Sequence, residues 1–162
     1  MADWQARKVL GDQHEQRVIV ELQRRGWTVQ ACGQGTFLAP IQQALRTSGS
    51  ALRQFPDMLA ARAQDLVAID AKSRMRSDTG RYAISSQCLQ AGLQFIGINA
   101  PVPLYYVMGD TRTGLSVLTP AEVAAYRSIA HPHPGGAYFL VDASLARPFD
   151  DVFGAGRDTL TA

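Results

Sequence analysis

Cysteine and lysine are scarce in this sequence, and long apolar runs are absent. The two cysteines, Cys32 and Cys88, are too few for a disulfide scaffold and lack the C-x-x-C spacing of a zinc site, so we interpret them as small buried thiols. No early stretch has the pattern of a cleaved signal peptide, and no apolar run approaches the roughly 20 residues needed to span a bilayer. We therefore expect a cytoplasmic protein with no membrane partner.

Arginine supplies nearly all of the positive charge. Of the 16 basic residues only Lys8 and Lys72 are lysines, so each lysine is informative. The net charge of +2 is too small to indicate nucleic-acid binding by itself, but residues 1–81 carry 12 basic residues against 8 acidic ones, whereas residues 82–162 carry 4 against 6. A polyanion should therefore meet the first half of the chain.

The length of 162 residues and the 46% apolar content predict one globular domain over residues 1–162. Helical spacing of apolar residues predicts helices over 5–25 and 85–95 and a short one near 41–46, and a capping-box sequence starts a further helix at Thr119. Strands are predicted over 27–32, 57–61, 65–72, 103–109 and 114–119. Residues 73–81 are expected to form a loop, and residues 131–162 a loop-rich extension beyond a core of about 5–130. This order of elements predicts an α/β fold with a central mixed sheet of about five strands flanked by helices.

The strand sequence "DLVAIDAK" ends in two charged residues that face the same way. Side chains alternate between the faces of a strand, so Asp70 and Lys72 share one face with Ala68. Asp57 follows Pro56 at the start of the preceding strand, where hairpin pairing brings its carboxylate beside Asp70. Two close carboxylates repel unless a cation such as Mg²⁺ neutralises them. A simple ion pair between Asp70 and Lys72, with Asp57 as an ordinary strand-entry residue, is the alternative.

Glu15 is a third acidic residue in an unexpected place. At 100° per residue it lies about 20° from Leu22, on the apolar stripe of the first helix, whereas Glu21 lies on the solvent side. Glu15 therefore either takes part in a site or sits at a boundary where it reaches water. The histidines His14, His131 and His133 lack the further ligands of a zinc site, and we interpret them as structural.

Several of these features occur together in one known family. The sequence "GDQHE" on the first helix, "GW" at its end, the "GQGT" turn, "PD" and then "DAK" resemble the PD-(D/E)XK nuclease superfamily, and most closely its archaeal-type Holliday junction resolvase branch. The resemblance runs from about Leu10 to Thr119. The stretch between "GQGT" and "PD" is longer than in those resolvases, and Asp70 stands where that branch usually has Glu. The resemblance implies a restriction-endonuclease-like fold.

The resemblance also implies roles for individual residues. Asp57, Asp70 and the Ala71 carbonyl would bind Mg²⁺, for which Mn²⁺ should substitute, with Glu15 joining directly or through water. Lys72 would hold or activate the attacking water. An arginine would not easily replace it, because the guanidinium charge is fixed and spread over a plane.

Further residues are assigned weaker roles by the same resemblance. Gln87 corresponds to a polar catalytic position on the helix after the lysine strand, and Thr36 to a mobile serine loop that touches DNA. The arginines of the polar stretch after the active strand are candidates for phosphate contacts; they are Arg74, Arg76 and Arg81. Each of these residues can equally be an ordinary solvated side chain.

The resulting expectation is a Mg²⁺-dependent DNA endonuclease that is structure-selective and resolvase-like. Because junction resolution needs two symmetrical cuts, a homodimer is expected, while other protein partners are not indicated. The sequence leaves open a nuclease of a mobile element or restriction-like system acting on duplex, nicked or flapped DNA. It also leaves open a non-catalytic DNA-binding protein that retains the fold, and a structural α/β domain whose charges form surface ion pairs.

Overall fold

The structure is a computed structural model that describes residues 2–72, 75–76, 80–110, 114–129 and 137–156. Its α-helices are α1 (Ala2–Arg24), α2 (Ala39–Ser48), α3 (Ser86–Ile98), α4 (Pro120–Tyr126) and α5 (Phe149–Phe153). The capping box predicted for α4 is confirmed: the Glu122 N–H donates to Thr119 Oγ1 at 3.1 Å, and the Thr119 N–H donates to Glu122 Oε2 at 2.7 Å. In the described part of the chain, no helix is long and apolar enough to cross a membrane.

The main sheet has six strands, of which the predicted five are the longer ones. They are β1 (Thr28–Ala31), β2 (Met58–Arg62), β3 (Asp65–Lys72), β6 (Leu104–Asp110), β7 (Gly114–Leu118) and the two-residue β10 (Arg147–Pro148), in the spatial order β1-β2-β3-β6-β7-β10. The β3–β6 pair is parallel and the other pairs are antiparallel, so the sheet is mixed as expected. Helices lie on both of its faces.

A second sheet was not predicted. Its strands are β4 (Met75–Arg76), β5 (Arg81–Ser85), β8 (Ser128–Ile129) and β9 (Tyr138–Asp142), in the order β4-β5-β9-β8. The expectation of a loop over residues 73–81 is therefore wrong at 75–76 and at Arg81. In β5, Tyr82 and Ile84 are buried against the α3 side of the main sheet. Such short strands pair with distant segments, which leaves little local signal.

The expectation of a core ending near residue 130, followed by a loop-rich tail, is wrong for residues 137–156. Phe149 and Phe153 of α5 pack with Val18 and Leu22 of α1 against one face of the main sheet. The indole N–H of Trp27 donates to the Phe153 carbonyl at 3.0 Å. The predicted extension is thus part of the core in this range, while His131 and His133 lie outside the described residues.

His14 fixes α1 against the main sheet. Its side chain is buried, and its Nε2 lies 3.0 Å from the carbonyl oxygen of Val107 in β6. Burial lowers the pKa of His14, so the ring is neutral and donates to this carbonyl. The structural interpretation of this histidine agrees with its contacts.

Replacing His14 should loosen the attachment of α1. We expect His14→Ala to lower the free energy of unfolding by about 1–3 kcal/mol, because it leaves the Val107 carbonyl without this donor and opens a void. Urea unfolding followed by circular dichroism measures the loss. The matched control is Gln13→Ala, at the neighbouring exposed position, which should change stability little. Equal effects of the two substitutions would contradict an anchoring role.

Candidate active site

The β2–β3 hairpin brings the predicted acidic pair together. Met58 of β2 pairs with Ile69 of β3, so one further step in this antiparallel register sets Asp57 opposite Asp70. Val67 and Ile69 pack on the α1 side of the sheet, whereas Ala68 packs on the α3 side. The alternation predicted from the sequence therefore directs Asp70 and Lys72 towards the α3 side.

Asp57 is held by its backbone and its side chain. Its carbonyl oxygen accepts hydrogen bonds from the N–H groups of Cys32 and Gly33 at 2.8 and 3.0 Å, and its Oδ2 accepts one from the Ala71 N–H at 2.8 Å. A Cβ atom on Gly33 would lie 3.0 Å from the Asp57 Cα and 3.1 Å from its Oδ1. The "GQGT" turn thus begins with a glycine because the acidic residue packs directly against it.

Lys72 and Asp70 form a close ion pair. Lys72 Nζ lies 2.6 Å from Asp70 Oδ1, and the two side chains are 28% and 15% exposed. Burial favours the neutral amine, but the negative charge of Asp70 outweighs it, and the pKa of Lys72 is held above its ordinary value. Lys72 is therefore a fixed positive charge at the site.

Asp57 lies close enough to Asp70 that the two carboxyl groups interact directly. Burial, and then the charge of Asp70, raise the pKa of Asp57 to about 8, although Lys72 acts in the opposite direction. Glu15 belongs to the same electrostatic neighbourhood. Burial, and then the charges of Asp12 and Asp70, raise the pKa of Glu15. Asp57 therefore keeps its proton near pH 7 when no cation is bound, because Lys72 alone does not offset the charges of two adjacent carboxylates.

Helix α3 contributes a thiol to the site. Cys88 Sγ lies 3.5 Å from Asp70 Oδ2, and burial raises the pKa of this thiol to about 11, so it is neutral near pH 7. The Tyr106 hydroxyl donates to the Cys88 carbonyl at 3.0 Å. Gly92 makes this possible, because a Cβ at that position would collide with the Tyr106 hydroxyl and lie 3.0 Å from Pro120 Cγ.

These residues open into a cleft of about 310 Å³. Asp57, Asp70 and Lys72 line it together with residues of α3, of the segment before Asp57 and of the ends of β5 and β6, namely Gln34, Arg53, Gln54, Phe55, Pro56, Ser85, Cys88, Ala91, Gly92 and Leu104. The structure therefore brings the acidic pair and the lysine to one concave surface, while Glu15 lies nearby on α1.

Gln87, Thr36 and Arg81, which the sequence also predicted to be site residues, do not line the cleft. Gln87 is exposed and does not line the cleft, which Cys88 lines instead. Thr36 is also exposed, and its hydroxyl donates to the Gly33 carbonyl at 2.7 Å within a local turn. Arg81 is exposed at the start of β5. Arg74 and the side chain of Arg76 lie outside the described residues, so the contacts predicted for them stay predictions.

The oxygen donors of the site fit a hard divalent cation. Asp57 and Asp70 form a buried pair whose combined charge favours a bound cation or proton, and carboxylate and carbonyl oxygens are the ligands that Mg²⁺ prefers. Within the described ranges, no group of three or more His, Cys, Asp or Glu side chains is arranged to hold a metal ion. An ion here would take the two carboxylates, the Ala71 carbonyl and water, which is an ordinary set for Mg²⁺.

Known proteins resemble this chain in fold but not in sequence. No family model matches the chain, and no curated protein matches its sequence. Among solved structures, the Archaeoglobus fulgidus Hjc, a Holliday junction resolvase from an archaeal hyperthermophile, matches with a TM-score of 0.58 and 15% identity, covering 91% of this chain and 98% of that chain. The chain has the fold of this archaeal resolvase. The predicted restriction-endonuclease-like α/β architecture, with a central mixed sheet flanked by helices, is therefore confirmed.

Within the resolvase-like fold, the sequence did not reveal the residues that line the rest of the cleft. The start of α3 at Ser86 decides which of its residues face the site, because a shift of one residue along a helix turns a side chain by about 100°. With this start, Cys88 and Gly92 face the site. The long stretch before "PD" folds into α2 and a 3₁₀ turn over Ala51–Gln54, which brings Arg53 and Phe55 to the cleft. The N-cap position of Ser85 was the available signal for the helix start.

The buried acidic pair should limit the stability of the protein without divalent ions. We expect Asp57→Asn to raise Tm in EDTA at pH 9, above the pKa of Asp57, by about 2–4 °C, corresponding to about 1 kcal/mol, because it removes one of two adjacent buried charges but can keep the hydrogen bond from Ala71. Mg²⁺ should raise the Tm of the wild type more than that of the variant. Differential scanning calorimetry measures both shifts.

Asp65→Asn is the matched control for this experiment. Asp65 is an exposed residue at the other end of β3, and its replacement changes the net charge by the same amount. It should leave both the Tm in EDTA and the Mg²⁺ shift near their wild-type values. A stabilisation of equal size in both variants would show that overall charge, rather than the acidic pair, is responsible.

Proposed function

We propose that this protein is a metal-dependent DNA endonuclease that hydrolyses phosphodiester bonds, with a preference for structured DNA such as four-way junctions. The observation that carries the proposal is the convergence of Asp57, Asp70 and Lys72 at one end of the β2–β3 hairpin, in a cleft of a resolvase-like fold. Asp57, Asp70 and the Ala71 carbonyl would hold Mg²⁺ or Mn²⁺. When bound, the ion would polarise a phosphate oxygen and lower the pKa of water.

Asp70, Lys72 and Glu15 would position the attacking water and stabilise charge during hydrolysis. The Asp70 carboxylate forms an ion pair with the Lys72 ammonium group and so fixes the position of the positive charge. Lys72 would orient the attacking water by hydrogen bonding. As the water oxygen bonds to phosphorus, the phosphorus–oxygen bond of the leaving group breaks and negative charge grows on the phosphate oxygens. Lys72 would stabilise this charge. Glu15 would accept a hydrogen bond from water at the rim of the site.

Other parts of the proposal concern substrate and assembly. Resolution of a four-way junction requires two cuts placed symmetrically, so we propose a homodimer that presents two such sites to DNA in the cytoplasm. Flapped, nicked and duplex DNA are the competing substrates, and they would fit a nuclease of a mobile element or a restriction-like system. A non-catalytic role is disfavoured, because the acid pair and the lysine are all present and in contact.

Lys72 provides the sharpest test of catalysis. We expect Lys72→Ala and Lys72→Arg each to lower the cleavage rate by about 10²–10⁴-fold while DNA binding persists, because the first removes the charge and the second spreads it over a plane. Cleavage is measured on matched four-way junction, flap, single-stranded and duplex DNA with Mg²⁺. The control is Lys8→Ala, which removes the other lysine, exposed on α1 and paired with Asp12 at 2.8 Å. Loss of activity in Lys8→Ala, or normal activity in Lys72→Ala, would contradict the proposed role.

The identity of the ion provides an independent test. EDTA should abolish cleavage, Mg²⁺ and Mn²⁺ should restore it, and Ca²⁺ should support DNA binding with little cutting, because its looser coordination shell orients water less well. Rates in each ion are compared at the same protein and DNA concentrations. Asp70→Ala should be inactive in all of them. Equal rates in Ca²⁺ and Mg²⁺, or cleavage that persists in EDTA, would remove the metal from the proposal.

A further inference from the structure

Residues 34–56 form one wall of the cleft. The proposed catalytic mechanism gives this segment no role. The Gln34 side-chain amide donates to the Arg53 carbonyl, which ties the two ends of the segment together. Ser50 caps the 3₁₀ turn Ala51–Gln54 by accepting from the Leu52 N–H at 3.2 Å. Arg53, Gln54 and Phe55 are thereby held at the cleft, next in the chain to Pro56 and Asp57.

Arg53 is a cation available to a ligand. The segment of residues 33–56 contains Arg46 and Arg53 but no aspartate or glutamate. Arg53 is exposed, and its guanidinium makes no ion pair with any residue that the structure describes, whereas Lys72 in the same cleft is bound to Asp70. An unpaired guanidinium beside the proposed reaction centre is suited to a second phosphate of the same DNA strand.

Phe55 adds an aromatic surface next to this charge. The residue is 37% exposed, and its ring packs edge-to-face with that of Phe95, with centroids 5.9 Å apart and an interplanar angle of 81°. A ring fixed in this way at the wall of the cleft, next to Arg53, can stack on a nucleobase, as aromatic side chains do in proteins that bind single strands. The cleft is therefore equipped for a base as well as for phosphates.

Gln54 supplies an unused polar atom between these two residues. Its Oε1 atom is buried and has no hydrogen-bond partner among the described residues. A buried acceptor without a partner is unfavourable, and a small rotation of the side chain would let it accept from the amino group of a base. The cleft volume of about 310 Å³ is at the lower end of ligand pockets, which suits one nucleotide rather than a stacked base pair.

We propose that Arg53, Gln54 and Phe55 form a subsite for one unstacked nucleotide of the cleaved strand. Phe55 stacks on its base, Gln54 accepts a hydrogen bond from the base edge, and Arg53 binds its phosphate. This inference rests on the proposed endonuclease and specifies its substrate class, which is DNA that presents an unstacked nucleotide beside the cut, as at the crossover of a junction, a flap or a bulge, in preference to continuous duplex.

Binding measurements test the subsite separately from catalysis. Fluorescence anisotropy in Ca²⁺ gives the Kd of the full-length protein for a duplex with a single bulged nucleotide and for the same duplex fully paired. We expect the wild type to prefer the bulged DNA by about tenfold or more. Phe55→Leu and Arg53→Ala should bring the ratio of the two Kd values close to one, mainly by weakening the bulged complex.

The chain offers a matched control for each variant. Phe37→Leu changes another exposed phenylalanine of the same region, with 38% of its side chain exposed, and Arg46→Ala removes the other arginine of the segment; neither residue lines the cleft. Both should keep the preference for bulged DNA. Phe55→Tyr retains the ring and should also keep it, which separates loss of stacking from loss of folding. A wild type without preference, or equal losses in Phe37→Leu and Phe55→Leu, would overturn the subsite.

The two proposals fail in different ways. Lys72-dependent cleavage together with a Kd ratio that is insensitive to Phe55 and Arg53 would leave the endonuclease standing and overturn the subsite. A Kd ratio that depends on Phe55 and Arg53, without cleavage of any DNA in Mg²⁺, would support the nucleotide subsite and exclude the endonuclease.

Discussion

The structure depends on an electrostatic constraint: the carboxyl groups of Asp57 and Asp70 lie side by side below the surface. Asp57 and Asp70 come together because the β2–β3 register sets them opposite each other, and the sheet is too rigid to let them separate. The surroundings offset part of the cost. The Ala71 N–H bonds to Asp57, and Lys72 pairs with Asp70. The pair still favours a bound proton or cation, which links the stability of the fold to the chemistry we propose.

Two elements support this pair. Gly33, the first residue of the "GQGT" turn, gives the Asp57 backbone room, and α3 places a neutral thiol against Asp70. Helix α1, attached through His14, instead brings Glu15 near, and its charge adds to the repulsion at Asp57. The Ala71 N–H, Lys72 and the Cys88 thiol each use one lone-pair site of a carboxylate that has about four, so further sites remain available to a ligand. A site that binds and orients through fixed groups needs this combination of rigid scaffolding and free donor atoms.

The parts of the molecule that the sequence predicted well are those set by local patterns. Alternation in "DLVAIDAK" placed Asp70 and Lys72 on one face, and the capping box located α4, because each depends on residues a few positions apart. The second sheet pairs β5 with β9 across more than 50 residues, and α5 has five residues, so neither has a strong local signature. In the site, the acidic pair was predictable from hairpin pairing. Cys88 was not, because the register of α3 decides which residue faces the cleft.

The attachment of α5 has a consequence for how the protein matures. Arg62, at the end of the hairpin remote from the acidic pair, and Trp27, just before β1, are covered by a helix more than 80 residues later in the chain, since both side chains donate to the Phe153 carbonyl. During synthesis the hairpin emerges long before this cover is available. Asp57, Asp70 and Lys72 are therefore translated early, whereas the far end of their hairpin is covered only when α5 has docked.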